Sequence, residues 1–370
     1  MNKQGYFPGL HALRFFAASF VIIHHVEQYK SWQGRDSIWG NTLIDHLGHM
    51  PVGFFFVLSG FLITYFLIQE VVQKGTINLR FFYWKRIIRL WPVYFLIVLL
   101  SIGLMPLITN GFAEKQFDFS NGVLVALLLF IPNLLRIIHP NLVGGNQLWS
   151  VGVEEQFYLF WPIFIVLFRR HILKFLFGFI VLKIATQEIL GLMSHNIDSL
   201  QAVYFLLKLF PVEQMAIGGI GAAWIVRKSN YLKGLQSNSA FIASLTLIAW
   251  LFFYHENWMF RSLLEGVGFL IIIVNIIYRS SIYQVLENKW LKRMGDASYG
   301  IYMYHTVVIA LIMSLLNRVE LYPLDYNILL YAGSVSITFL VARGSFLYFE
   351  KPFLRLKNVK WTWGKKAFAE

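Results

Sequence analysis

The chain of 370 residues contains no cysteine, so disulfides, thiolate metal sites and a cysteine nucleophile are all excluded. Charge is scarce as well: 14% of residues are charged against 57% hydrophobic, with 19 acidic residues against 32 lysines and arginines. A water-soluble domain of this length would not tolerate that balance. No low-complexity tract, internal repeat or linker divides the chain, and residues 1–370 read as a single integral membrane domain. The histidines show no metal-ligand spacing, so neither a metal nor a bound cofactor is expected.

What is present is a series of apolar windows of ~20 residues, each long enough to cross a hydrocarbon layer of ~30 Å. They fall at 9–27, 52–69, 87–108, 149–168, 172–190, 207–226, 239–254, 262–279, 297–316 and 327–347. The expectation is an all-α bundle of about ten transmembrane helices. The first window runs on to Glu27 with no small-residue cleavage site, the pattern of a retained span rather than a signal peptide. A net charge of +13 raises nucleic acid as a partner, but the basic residues gather between spans, in 74–89, 169–174, 227–233, 279–293 and the tail from Lys351. No nucleic-acid partner is expected, and the positive-inside rule places these segments and both termini in the cytoplasm. One more apolar stretch, VLVALLLFIPNLL at 123–135, is short, is broken by Pro132 and is followed by Arg136. A full crossing there would put every later basic loop on the wrong side. A re-entrant segment between the third and fourth spans, over 120–146, accounts for it, and such backbone is tolerated at depth only beside a protein cavity.

Ionisable residues within spans point to the same cavity, because they are costly in lipid unless they face a polar space or a partner. Arg14 and His25 are eleven residues apart, about 1100° of helical rotation, so they share a face at ~16 Å separation along the axis. Snorkelling to the inner headgroups is the plain alternative for Arg14. Arg86 and Arg89 lie near the depth of Arg14 and suggest an anion site, with ordinary loop anchoring as the alternative. On the outer side, LWSVGVEEQFYLFWP brings Glu154 and Glu155 in at the depth of His24 and His25, where a carboxylate and an imidazole could meet. Ser59, in VLSGF, reads as close helix packing rather than a nucleophile, as do the glycines of AIGGIGAAW at 216–224. Tyr299, Tyr302 and His305 recur every third residue and put His305 near mid-membrane, either lining a tunnel or buried in the core. Trp149, Trp161, Trp258 and Trp290 read as interfacial belt residues, and Glu350 as the ion-pair partner of an inner-loop arginine.

Several of these stretches carry a resemblance. Arg14 and His25 with ten residues between them, FFFVLSGFLI at 54–63, RIIRLWP at 86–92, QLWSVGVEEQFYLFWP at 147–162, GDASYGIYMYH at 295–305 and YFEKPF at 348–353 stand in one order along the chain. In that order the chain resembles the membrane acyltransferase-3 family of bacterial O-acyltransferases over nearly its whole length. The resemblance implies a multi-pass protein of the bacterial cytoplasmic membrane. Such a protein takes an acyl group, usually acetyl, from cytoplasmic acyl-coenzyme A as co-substrate. It places the group on a hydroxyl of a cell-surface or lipid-linked glycan. Some members add an extracytoplasmic hydrolase-like domain, which is not expected here. One local departure is Pro51-Val52-Gly53, where the family often has Gly-Val-Asp or Gly-Val-Glu, so no acidic role is expected at that place.

On that chemistry Arg14, Arg86 and Arg89 would hold the donor phosphates. His25 would serve as general base or acyl acceptor, with Glu154 orienting it. His24, Ser59, Trp149, Tyr299, Tyr302 and His305 are the candidates for lining the cavity or touching the acceptor. Direct transfer and an acyl-enzyme route both stay open. A transporter or flippase of lipid-linked glycans is the competing class, since it too needs a polar cavity, intramembrane charges and a broken helix.

Because the chain has no cysteine, single introduced cysteines report topology directly. Ser31→Cys is expected to react with an impermeant maleimide on intact cells, and Lys74→Cys only after permeabilisation. The reverse pattern would invert the orientation read from loop charge.

Overall fold

Three side-chain and backbone signals set the first helices. Helix α1 spans Leu10–Trp32, α2 Thr42–Lys74 and α3 Leu79–Leu99. The Asn41 side chain accepts from the Leu43 N–H at 2.9 Å and starts α2, and Gly75, at φ 76°, ends it in the left-handed conformation that glycine adopts freely. Asn78 accepts from the Phe81 N–H at 3.0 Å and starts α3, which continues through a wider π turn to Ile108. The computed structural model describes residues 7–108, 121–138, 142–194, 198–254 and 260–358. Trp258 and the chain termini, for which positions are expected above, lie outside the described residues.

The remaining main helices are α4 Asn121–Leu128, α5 Pro132–Ile138, α6 Leu148–Leu167, α7 Ile172–Ser194, α8 Asp198–Lys208, α9 Val212–Val226 and α10 Asn238–Phe253. They are followed by α11 Arg261–Tyr278, α12 Lys289–Asp296, α13 Ser298–Leu316 and α14 Pro323–Ser345, which runs on to Arg355. Among the described residues there is no strand. Each expected span falls on a helix, and among the described residues eight helices are long and apolar enough to cross a membrane. The two others are α1, which is 23 residues long but carries Arg14, His24, His25 and Glu27, and α10, which is apolar but only 16 residues long.

The apolar stretch at 123–135 is broken where Pro132 predicts. It forms α4 and α5, of eight and seven residues, each too short to cross. Phe130 turns the chain between them at φ 57°. Neighbouring helices satisfy the carbonyls that the break exposes. The Tyr94 hydroxyl donates to the Leu127 carbonyl at 2.8 Å, and the Gln156 amide donates to the Phe130 carbonyl at 2.8 Å. The Phe130 ring packs on Trp91, Tyr94 and Phe95 of α3. An irregular backbone is thereby held among protein groups, as a lipid-facing one could not be.

The centre of the bundle is the crossing of α2 and α9. A Cβ at Gly60 would collide with the Met215 backbone, and one at Gly218 with the Val57 carbonyl, so the two helices touch backbone to backbone. The Ser59-Gly60 pair and the 216–224 glycines thus pack as their small size implies. α1 lies against both α2 and α13, α11 packs on α2, and α14 covers α13.

Gly60→Ala and Gly218→Ala are expected to lower stability by about 2–3 kcal/mol or more, the cost of forcing atoms into a filled contact. Gly178→Ala, in α7 with open space around it, should be neutral or slightly stabilising. Thermal unfolding in detergent with a ligand-free sample checks this. Equal midpoints for the Gly60 and Gly178 variants would contradict the backbone contact.

Candidate functional site

Arg14 and His25 share the face that their spacing implies, and that face borders a polar passage. At its basic end a mouth of about 1260 Å³ is lined by Lys85, Arg86, Arg89, Lys228, Lys233 and Lys357 among others. The passage narrows to a throat of about 160 Å³, with Ile63, Phe66, Arg86 and Arg89 on both walls. Beyond it lies a cavity of about 650 Å³ that carries His24 and His25, with Val52 and Tyr302 bordering both spaces. A side chamber of about 390 Å³ shares Arg136, Trp149 and Arg261 with that cavity.

The throat gathers Arg14, Arg86 and Arg89 around Glu154. Ser59 donates to Glu154 Oε1 at 2.9 Å and Tyr158 donates to Oε2 at 3.0 Å. Neither Arg14 nor Arg86 forms an ion pair with a carboxylate among the described residues. The Arg86 guanidinium lies over the rings of Phe82 and Tyr158, and its Nε is buried without a hydrogen-bond acceptor. A donor left unsatisfied in this way is costly unless a ligand supplies the missing acceptor. Tyr299 borders the throat and donates to the Leu90 carbonyl at 2.9 Å.

At the histidine end, His25 is buried and its Nδ1 donates to Gln28 Oε1 at 2.8 Å. The same oxygen accepts from Asn146 Nδ2 at 3.0 Å, which fixes the amide and leaves His25 Nε2 as the basic nitrogen. The ring of His305 stands 4.8 Å from that of His25. His305 is fully buried; its Nδ1 donates to the Tyr302 carbonyl at 2.6 Å, while Nε2 has no partner. His24 donates to the Ile44 carbonyl at 2.8 Å and packs against Gly48, so it is a wall of the same cavity. Ser150 and Tyr302 share a hydrogen bond of 2.6 Å at the junction of throat and cavity.

A buried network holds this arrangement. Tyr29 accepts from the Gly144 N–H at 2.7 Å, Thr306 donates to the Gly144 carbonyl and to Gln147 Oε1, and Gln147 donates to the Met303 carbonyl at 2.6 Å. Gly144 sits at φ 78°, and a Cβ there would stand 2.7 Å from Met105, so glycine is required on both counts.

Several expectations are corrected. His25 and Glu154 do not pair: α6 begins at Leu148, which carries Glu154 ~9 Å down the helix onto the throat wall beside Arg14. Gln28, one turn along α1, takes the place by His25 instead. Trp161 is not a belt residue; it is almost fully buried and donates to Thr64 at 2.8 Å. Trp149 borders the histidine cavity with the Arg136 guanidinium 4.7 Å from its ring centre, whereas Trp290 is exposed. Glu350 accepts from Ser345 at 3.3 Å and makes no ion pair with an arginine among the described residues. Val52 and Gly53 border the side chamber and place no charge there.

Other charged groups were missed. Lys183 pairs with Glu213 at 2.9 Å, and Arg261 pairs with Glu265 at 3.0 Å while donating to the carbonyls of Leu251 and Tyr254. All four fall within or at the edge of expected spans, so the criterion applied to Arg14 would have found them. Gln28, Asn146 and Tyr158 carry no such signal, since they are uncharged.

A family model described as "Acyltransferase domain" matches residues 7–343. Among curated proteins, one of Staphylococcus aureus (strain COL) named "Putative O-acetyltransferase" is 28% identical, over 97% of this chain and 59% of its own length. Peptidoglycan O-acetyltransferase OatA of Listeria monocytogenes is 25% identical, over 95% of this chain and 56% of its own. The chain thus spans less than two thirds of the length of these relatives. No solved structure matches it.

Ser59→Ala and Tyr158→Phe each remove one donor from the Glu154 carboxylate. Each is expected to cost about 1 kcal/mol of stability, and the double variant more than the sum, because the second loss strands the charge. A double-mutant cycle on unfolding midpoints reads this. Strict additivity would mean that the two donors act independently.

Proposed function

The chain belongs to the acyltransferase-3 family, and on that premise we propose that it moves an acyl group, acetyl in view of its named relatives, from cytoplasmic acyl-coenzyme A to a glycan hydroxyl. The observation that carries this reading is the joining of a throat lined by three arginines to a histidine cavity by one passage. The helical content and apolar spans make it a multi-pass membrane protein. The basic mouth is assigned to the cytoplasm by loop charge.

Coenzyme A enters phosphates outermost, so its pantetheine arm threads the throat and the thioester reaches the Ser150–Tyr302 junction. Arg86, with its unsatisfied Nε, and Arg89 and Arg14 bind the pyrophosphate. The acceptor hydroxyl lies in the histidine cavity, where Trp149, Arg136 and His24 form its walls. His25 Nε2 takes the hydroxyl proton as the oxygen attacks the thioester carbonyl. The Ser150 and Tyr302 hydroxyls face the oxygen that gains charge. As the C–S bond breaks, the imidazolium returns its proton to the departing thiolate. Gln28 does the orienting: its amide oxygen holds Nδ1–H, fixes the tautomer and stabilises the imidazolium. Glu154 offsets part of the arginine charge in the throat. The acceptor class is a cell-surface or lipid-linked saccharide; peptidoglycan is the acceptor named for one relative. A glycan carrier fits less well, because a throat of about 160 Å³ admits a thin arm rather than a chain of sugar rings.

His25→Ala is expected to abolish transfer from acetyl-coenzyme A to peptidoglycan fragments or lipid-linked saccharide. Gln28→Leu should slow turnover by about ten- to a hundredfold with donor affinity unchanged. Arg86→Ala and Arg89→Ala should each weaken donor binding by about 1.5–3 kcal/mol, with less effect on turnover once donor is bound. Intact-protein mass after incubation with donor alone distinguishes direct transfer, which leaves the protein unmodified, from an acyl-enzyme. Near wild-type transfer by His25→Ala would remove the assignment.

A further inference from the structure

Lys228 adopts a backbone conformation that suits glycine. It follows Arg227, the cap of α9, at φ 50°. The Ser229 N–H donates to the Trp224 carbonyl at 3.0 Å and the Lys228 N–H to the Ile225 carbonyl at 3.2 Å, the bonding that closes a helix through a left-handed residue. Lysine is disfavoured here relative to glycine, so the backbone gives no reason for it. The side chain does have a place: it lines the wide mouth with Lys233 of the next turn. Glu70 is the one carboxylate bordering the mouth among the described residues, and Lys74 already binds it at 3.0 Å. Lys228, Lys233 and Lys357 form no ion pair among the described residues. Loop charge alone explains basic residues on this side. It does not explain a left-handed lysine, nor the convergence of three separate basic segments on one cavity.

The shape of the passage orders an acyl-coenzyme A along it. The thin arm fits the throat of about 160 Å³, and the bulky nucleotide fits only the mouth of about 1260 Å³. Arg86 and Arg89 border both spaces, which puts them at the pyrophosphate. Lys228, Lys233 and Lys357 border the mouth alone, at the far end of the ligand. The group that coenzyme A carries there is the phosphate on its ribose. Resting on the acyl-coenzyme A reading above, we propose that Lys228 and Lys233 bind the donor's ribose 3′-phosphate, so that the protein selects 3′-phosphorylated coenzyme A over its dephospho form.

The test is calorimetric titration of the purified full chain with acetyl-coenzyme A and with 3′-dephospho-acetyl-coenzyme A. The wild type is expected to prefer the phosphorylated donor by about tenfold or more, as for charge-assisted phosphate contacts partly open to solvent. Lys228→Gly and Lys233→Ala should each reduce that ratio severalfold, and together bring it towards one, while affinity for the dephospho compound holds. Lys228→Gly should also unfold at or above the wild-type midpoint, because glycine suits φ 50°. Loss of affinity together with unchanged or raised stability separates a ligand contact from a folding defect. An unchanged ratio in both variants, or no preference in the wild type, overturns the inference and leaves the donor reading intact. Failure of a folded wild type to bind either compound overturns both.

Discussion

Everything along the passage depends on α2 meeting α9 backbone to backbone. At 33 residues, α2 is long enough to border every chamber: Gln69 and Lys74 at the mouth, Ser59 in the throat, His46 and His49 at the histidine end. Gly60 and Gly218 set how closely α9 approaches it. In lipid, helix association gains little from the hydrophobic effect, so this contact relies on dispersion between closely approaching backbones. A larger residue at either position would shift α2 and widen or displace the throat. The same crossing delivers the C-terminal end of α9, with its left-handed lysine, to the rim of the mouth.

A second constraint sorts the charged groups. Burial of an ion is expensive unless it is paired, and the bundle observes this where function does not intervene. Lys183 with Glu213, Arg261 with Glu265, and Glu27 with Lys30, Ser37 and Tyr331 are all satisfied locally. The Arg86 Nε, on the throat wall, and His305 Nε2, beside the His25 ring, are the contrast: both are buried without a hydrogen-bond partner among the described residues. An unsatisfied cationic donor on the wall of a cavity favours an anionic ligand there, because the ligand removes a cost that the empty protein bears. Gln28 shows the same economy. It is uncharged, so it orients His25 without a second buried ion.

Much of the architecture was legible along the chain. Apolar windows located the helices because the hydrocarbon layer demands a run of apolar residues whatever the fold. Pro132 marked the break between α4 and α5 because proline removes a donor in any context. The eleven-residue spacing of Arg14 and His25 put both on one face because helical rotation is fixed by the backbone. Arg14, Arg86 and Arg89 came to one throat because all three lie near the same depth. Depth failed for Glu154: α6 starts within a residue of its window, but α1 runs on to Trp32, more than a turn beyond its window, so the outer ends of the two windows did not mark a common depth.

The sequence by itself therefore determined what depends on one dimension: which segments are helical and apolar, which residues are ionisable within them, and roughly how deep each lies. Only the tertiary structure decided which side chains meet across helices. Rotation of one helix about its axis relative to its neighbours leaves no trace in its own periodicity. That rotation is set by contacts such as Gly60 on Met215 and Gly218 on Val57, residues far apart in the chain. Hence Gln28 rather than Glu154 beside His25, Trp161 in the core rather than at the interface, and three distant basic segments around one mouth.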